Sequence, residues 1–106
     1  MVAYRLAVEV ARDVYRRING WSSFDRWSLG IQCVRAADSV GANIAEATGR
    51  GHGADRRRLL LIARGSLYET EHWLTTASER GLLENNLRER VEEAIRALNG
   101  LIRSTR

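Results

Sequence analysis

The chain has 106 residues, 44% of them hydrophobic, the size of one soluble domain with a modest core. Its 17 basic residues outnumber 13 acidic ones for a net charge of +4, and every basic residue is arginine. No apolar run approaches the roughly 20 residues that cross a bilayer, charge arrives too early in MVAYRLAVEVARD for a signal peptide, and the single Cys33 makes neither an internal disulfide nor a metal framework. A reducing, cytoplasmic location with no membrane association is expected.

The first helix is predicted from Val2 to Ile18. Leu6, Val10, Val14 and Ile18 repeat every four residues beside Ala3, Ala7 and Ala11, and Asn19-Gly20 stops the helix. Trp21 to Asp25 reads as a linker in which Ser22, Ser23 or Asp25 caps the next helix. The second helix runs to Thr48, and its stretch from Leu29 to Arg50 carries two stripes. Leu29, Cys33, Ala36, Val40, Ile44 and Ala47 form the apolar one. Gln32, Arg35, Ser39, Asn43, Glu46 and Arg50 form a small, regular polar one, which predicts a helix covered on more than one side. Gly49, Gly51 and Gly53 mark a break, and Asp55 is a plausible N-cap for a third helix ending near Arg80-Gly81. That helix presents Leu60, Ala63, Leu67, Leu74 and Ala77. A fourth, starting between Glu84 and Leu87, presents Leu87, Val91, Ala94, Ile95, Leu98, Leu101 and Ile102. No period-two run makes a strand. Short links between amphipathic helices give an all-α, antiparallel up-down-up-down four-helix bundle, one domain over residues 1–106.

Centring the second turn near residue 52 places Arg35 opposite Glu69, Ser39 opposite Gly65-Ser66 and Gln32 opposite His72, with Glu46 near Arg57 and Arg58. The expectation is a structural polar seam of Gln32, Arg35, Ser39, Asn43, Glu46, Ser66 and Glu69, with a partly buried Arg35–Glu69 ion pair. The alternative is that both charges point to water. Gly65 inside a strong helix costs about 1 kcal/mol relative to Ala, which predicts close helix approach at Ser39 and Val40. Gly41 invites the same reading.

The same topology concentrates positive charge at one end. Arg5, Arg50, Arg56, Arg57, Arg58, Arg103 and Arg106 gather there against Glu46 and Asp55. With Gly49, Gly51, Gly53 and His52 beside a helix N-terminus, this end suits phosphate. The functional reading is sequence-tolerant contact with RNA or DNA backbone, weakening with salt. The alternatives are a solvated basic end and a glutamate-neutralised subunit contact. Trp21, Trp27 and Trp73 are expected in core or interface packing, with base stacking as the alternative.

Catalytic constellations are missing. His52 and His72 belong to no paired E-x-x-H motifs of a di-iron bundle. The glycines of G-R-G-H-G lack the strand of a dinucleotide site. Glu69 and Glu71 diverge on a helix, and Cys33 sits on an apolar stripe as a small core residue. No metal, cofactor or enzymatic activity is expected.

Two motifs carry a family likeness. Gln32, Arg35-Ala36-Ala37, Ser39, Asn43-Ile44-Ala45-Glu46 and Gly49-Arg50, with Ile62-Ala63-Arg64-Gly65-Ser66-Leu67-Tyr68-Glu69 and then Gly81-Leu82-Leu83, resemble the four-helix-bundle proteins encoded in intervening sequences of bacterial 23S ribosomal RNA genes. Ala7, Val10 and Val14-Tyr15 extend the likeness weakly into the first helix. The chain departs from the pattern at Ala47, where glycine is usual, at Gly41, where proline is frequent, and at Tyr4, where tryptophan is usual. The resemblance implies antiparallel bundles assembling into homopentameric rings. The accessory proteins of diversity-generating retroelements are similar in fold and bind nucleic acid and a reverse transcriptase. Self-association, RNA or DNA as a partner, and a partner protein such as a polymerase are therefore the expectations.

Overall fold

Apolar side chains spaced by three or four residues make each segment an amphipathic helix, and burying those stripes against one another makes a bundle. The computed structural model describes residues 1–50, 53–84 and 87–105. Helix α1 spans Val2–Asn19, with Ala3, Leu6, Ala7, Val10, Val14 and Ile18 inward. After Gly20 the chain starts again at Ser22, whose hydroxyl accepts the Asp25 backbone N–H at 3.3 Å, the N-cap expected of serine. A single turn, α2 (Ser23–Asp25), leads into a π-helical segment at Arg26–Gly30 and then α3 (Ile31–Thr48). Helix α4 spans Gly53–Glu79 and α5 spans Arg88–Ser104. Gly81, at φ +76°, supplies the left-handed residue that ends α4.

Each long helix packs on its neighbours in the chain, and α5 closes the bundle against α1. The result is a rod 44 Å long and 22 by 17 Å across. Its core includes Val14, Cys33, Val40, Ile44, Leu60, Leu67, Val91 and Leu98. Thr70 is fully buried among them, its hydroxyl donating to the Ser66 carbonyl at 2.8 Å. Two arginines of α4 reach α5. Arg57 donates to the Ile102 carbonyl at 3.0 Å, and Arg64 to the Asn99 side-chain oxygen at 2.9 Å. The first of these places a cation on the negative end of α5.

The expected single helix from the linker to Thr48 is interrupted by the π segment. In an uninterrupted helix Arg26, two turns before Cys33, would fall on the core face. The wider π turn rotates the upstream residues, so Arg26 and Trp27 are exposed while Leu29 and Gly30 are buried. Gly30 is required there. A Cβ at this position would lie 2.8 Å from Ile18 Cγ2 and 3.2 Å from the Asp25 carbonyl. The start of α3 thereby closes on the end of α1.

The polar seam is corrected. Gln32, Arg35, Glu46 and Glu69 are exposed, and no ion pair joins Arg35 to Glu69 among the described residues. Ser39, Asn43 and Ser66 are half-buried, but the hydrogen bonds are local: Ser39 donates to Ala36 at 3.0 Å and Asn43 to Ser39 at 2.8 Å, both to backbone carbonyls. Glu69 accepts from Trp73 Nε1 at 3.4 Å on its own helix. The stripe lies on the outer shoulder of α3, where water solvates both charges at no desolvation cost. Gly65 is corrected likewise: it is exposed, and a Cβ there would meet nothing within 4 Å. Gly41 is buried against α1, not α4, with ordinary room toward Val8 and Tyr4.

Gly30→Ala is expected to lower the unfolding free energy by about 1–3 kcal/mol, the cost of overpacking a stiff β-branched neighbour, read from urea unfolding. Unchanged stability would show that Ile18 yields freely.

Candidate nucleic-acid interface

The helix order brings the start of α1, the end of α3, the start of α4 and the end of α5 to one end of the rod. Arg5, Arg56, Arg57, Arg58 and Arg103 sit on these segments, and Arg50 lies two residues past the end of α3. Arg106, Gly51 and His52, also expected here, lie outside the described residues.

Carboxylates hold several of these arginines. Arg50 pairs with Glu46 at 2.9 Å and with Asp55 at 3.3 Å, and Arg58 pairs with Asp55 at 3.2 Å. Glu46 therefore joins Arg50 on its own helix's C-terminal extension, not Arg57 and Arg58 as expected from register. The Glu46 hydrogen bond and the Asp55 charge push the Arg50 guanidinium pKa further up. Arg5 pairs with Glu9 at 2.9 Å. Arg57 is committed to Ile102. Arg56 and Arg103 have no ion-pair partner among the described residues. Asp55 sits in the first turn of α4, where it offsets both the helix dipole and the arginine run beside it. Water screens exposed pairs of this kind, so each adds little to stability. A phosphate can replace a carboxylate in them without a large penalty, so the end is a basic surface with exchangeable internal counterions.

Two apolar surfaces lie on the sides of the rod. One is a groove of 270 Å³ between α1 and α3, lined by Tyr4, Val8, Ala11, Asp38, Gly41 and Ala45 among others. Desolvation there raises the Asp38 carboxyl above its usual value. The other is the outer face of α4, where Leu61, Ile62 and Tyr68 are exposed around Gly65.

The far end of the rod holds side chains whose exposure the sequence reading missed. Trp27 is 71% exposed, Phe24 80% and Tyr15 59%. Trp21 and Trp73, in contrast, are partly buried against the core. The signal was present in the run Arg16-Arg17-Ile18-Asn19-Gly20-Trp21-Ser22-Ser23-Phe24-Asp25-Arg26-Trp27, where arginines alternate with aromatics. Only the π turn decides which of these aromatics face out.

Cys33 is fully buried, and its thiol is pushed up to about 11 by desolvation. No group of three His, Cys, Asp or Glu side chains that could hold a metal occurs among the described residues. No helix of the described residues is long and apolar enough to cross a membrane.

A family model described as 23S rRNA-intervening sequence protein matches residues 1–104. The curated proteins include no match. Among solved structures, the chain is similar to a protein of unknown function of the S23 ribosomal protein family from Bacteroides thetaiotaomicron. The two share 25% identity and superpose with a TM-score of 0.82, over 97% of this chain and 96% of the other.

Because the Cys33 thiol stays protonated and covered, a thiol reagent at pH 8 is expected to label the native chain no faster than it unfolds. Urea should restore ordinary reactivity. The raised folded-state value also makes stability fall as pH rises from 9 toward 11, since only the unfolded state readily forms the thiolate. Rapid labelling of native protein would contradict the burial.

Proposed function

The chain belongs to the 23S rRNA-intervening sequence protein family, and from that premise we propose that it is a non-enzymatic, self-associating bundle that binds RNA or DNA backbone through its arginine-rich end. The observation that carries this reading is the convergence of four helix termini bearing Arg5, Arg50, Arg56, Arg57, Arg58 and Arg103 on one surface. Phosphate contact of this kind is sequence-tolerant and releases condensed counterions. In a ring of copies the fields of the basic ends add, raising local potential and the rate of encounter.

Two observations support self-association. A closed ring needs two different complementary surfaces per copy, and the α1–α3 groove and the outer face of α4 are two candidates on the described residues. Gly65 lies on the second. Within one copy it makes no close contact that excuses its helix-weakening cost; close approach of a neighbouring copy would. Five copies is the number that the sequence resemblance implies.

Light scattering coupled to size exclusion tests the assembly. The native chain is expected to elute as a pentamer. Tyr68→Asp, at a position exposed in the single chain, should give a helical monomer. Gly65→Ala should raise the stability of that monomeric background by about 0.5–1 kcal/mol while weakening assembly of the native chain. A native monomer at all concentrations would overturn self-association.

Mobility shifts at rising salt test the ligand. Affinity for an RNA or DNA duplex should fall linearly with salt on logarithmic axes. Arg56→Ser with Arg103→Ser should flatten that slope more than Arg57→Ser, whose guanidinium is already engaged with Ile102. Salt-independent binding, or no binding, would refute the phosphate model.

A further inference from the structure

We infer that the opposite end of the rod carries a second, chemically different contact: a stacking platform for single-stranded nucleic acid built from Tyr15, Phe24 and Trp27 with Arg16, Arg17 and Arg26. This rests on the nucleic-acid reading above, but on other residues and another interaction.

Burial is the default for a large aromatic side chain, and three of them are left in solvent within one short stretch of fold. Tyr15 and Trp27 line the same open groove, 340 Å³ in volume, whose floor is aliphatic and whose rim includes Arg26 and Asn19. Phe24, on the single turn α2, is more exposed still. Geometry holds them out. Gly30 lets α3 close on Ile18, and the π segment turns Trp27 away from the core. Ser28 stiffens the same turn by donating to the Phe24 carbonyl at 2.7 Å.

The charge around the platform selects the occupant. Arg16 and Arg17 occupy the last turn of α1, and Arg26 precedes Trp27. None of the three has a carboxylate within ion-pair distance among the described residues. The nearby carboxylates are otherwise employed: Asp13 binds Arg90 at 3.1 Å, and Asp25 accepts the Ser22 hydroxyl at 3.0 Å. Aromatic faces interleaved with uncommitted cations match a strand whose bases are unstacked and whose phosphates run alongside. A copy of the chain fits less well: although aromatic and arginine side chains are enriched at protein interfaces, covering three arginines that hold no carboxylate carries a desolvation cost. Duplex fits less well too, since its bases are already stacked. The two ends, set apart along a 44 Å rod, thus differ in kind: one reads phosphate alone, the other reads phosphate and exposed base faces.

The test uses the full chain, a short oligouridylate and a duplex of equal length. Oligouridylate is expected to quench tryptophan emission, and Trp27→Phe should abolish that quench although Trp21 and Trp73 remain. Phe24→Ala with Trp27→Ala, at exposed positions that leave helix content unchanged, should weaken single-strand binding roughly tenfold or more and duplex binding less than twofold. Arg56→Ser with Arg103→Ser should show the reverse ranking. Unchanged single-strand affinity in the Phe24, Trp27 variant overturns the inference while duplex binding still supports the basic end. Loss of assembly in that variant, with single-strand affinity per subunit retained, also overturns it and makes the platform a contact between copies. Failure of the native chain to bind either probe removes this inference and the preceding reading together.

Discussion

The approach of Gly30 to Ile18 governs this structure. A hydrogen in place of a methyl lets the chain entering α3 seat against the end of α1, and the π turn that ends at Gly30 accommodates an extra residue there. Phase then propagates in both directions. Downstream, Cys33, Val40, Ile44 and Ala47 face the core; upstream, Arg26 and Trp27 are carried into solvent. Without the extra residue the upstream part would be rotated by about 100°, which would carry Arg26 toward the core face.

Electrostatics is divided along the rod in a way that follows from this packing. At the α3–α4 turn, arginines and carboxylates form a chain, Glu46–Arg50–Asp55–Arg58, that bridges the connection between the helices. Midway, Arg90 of α5 reaches Glu9 and Asp13 of α1 and closes the bundle's last seam. Arg57 and Arg64 tie α5 to α4 from the other side. Arginines without a carboxylate partner among the described residues include Arg56 and Arg103 at one end and Arg16, Arg17 and Arg26 at the other. Arginine suits all of these tasks, because its planar fork bonds carbonyl, amide, carboxylate or phosphate.

The polar shoulder of α3 shows why pattern alone misleads. Gln32, Arg35, Ser39, Asn43 and Glu46 are spaced as regularly as a buried stripe, yet within the chain they bond locally or stand exposed. Periodicity reports which residues share a face; it does not report what faces them. Arg35 and Glu69 leave from outer sides of their helices, so neither can shed water to meet the other within the bundle. Gly65 carries the same lesson, since it weakens its helix although nothing in the chain lies within 4 Å of where a Cβ would stand.

Four amphipathic helices, their order, most of the apolar residues of the core and the end on which Arg50 and Arg56 to Arg58 collect are legible from the amino-acid pattern alone. Local spacing and turn chemistry suffice for those, because each depends on residues within a few turns of one another. Only the tertiary structure decided which arginines are neutralised, that Arg35 and Glu69 stay apart, and that Phe24 and Trp27 stand in solvent. Those outcomes depend on side-chain partners and on rotation about helix axes, the last set for Phe24 and Trp27 by the close approach at Gly30 and one widened turn.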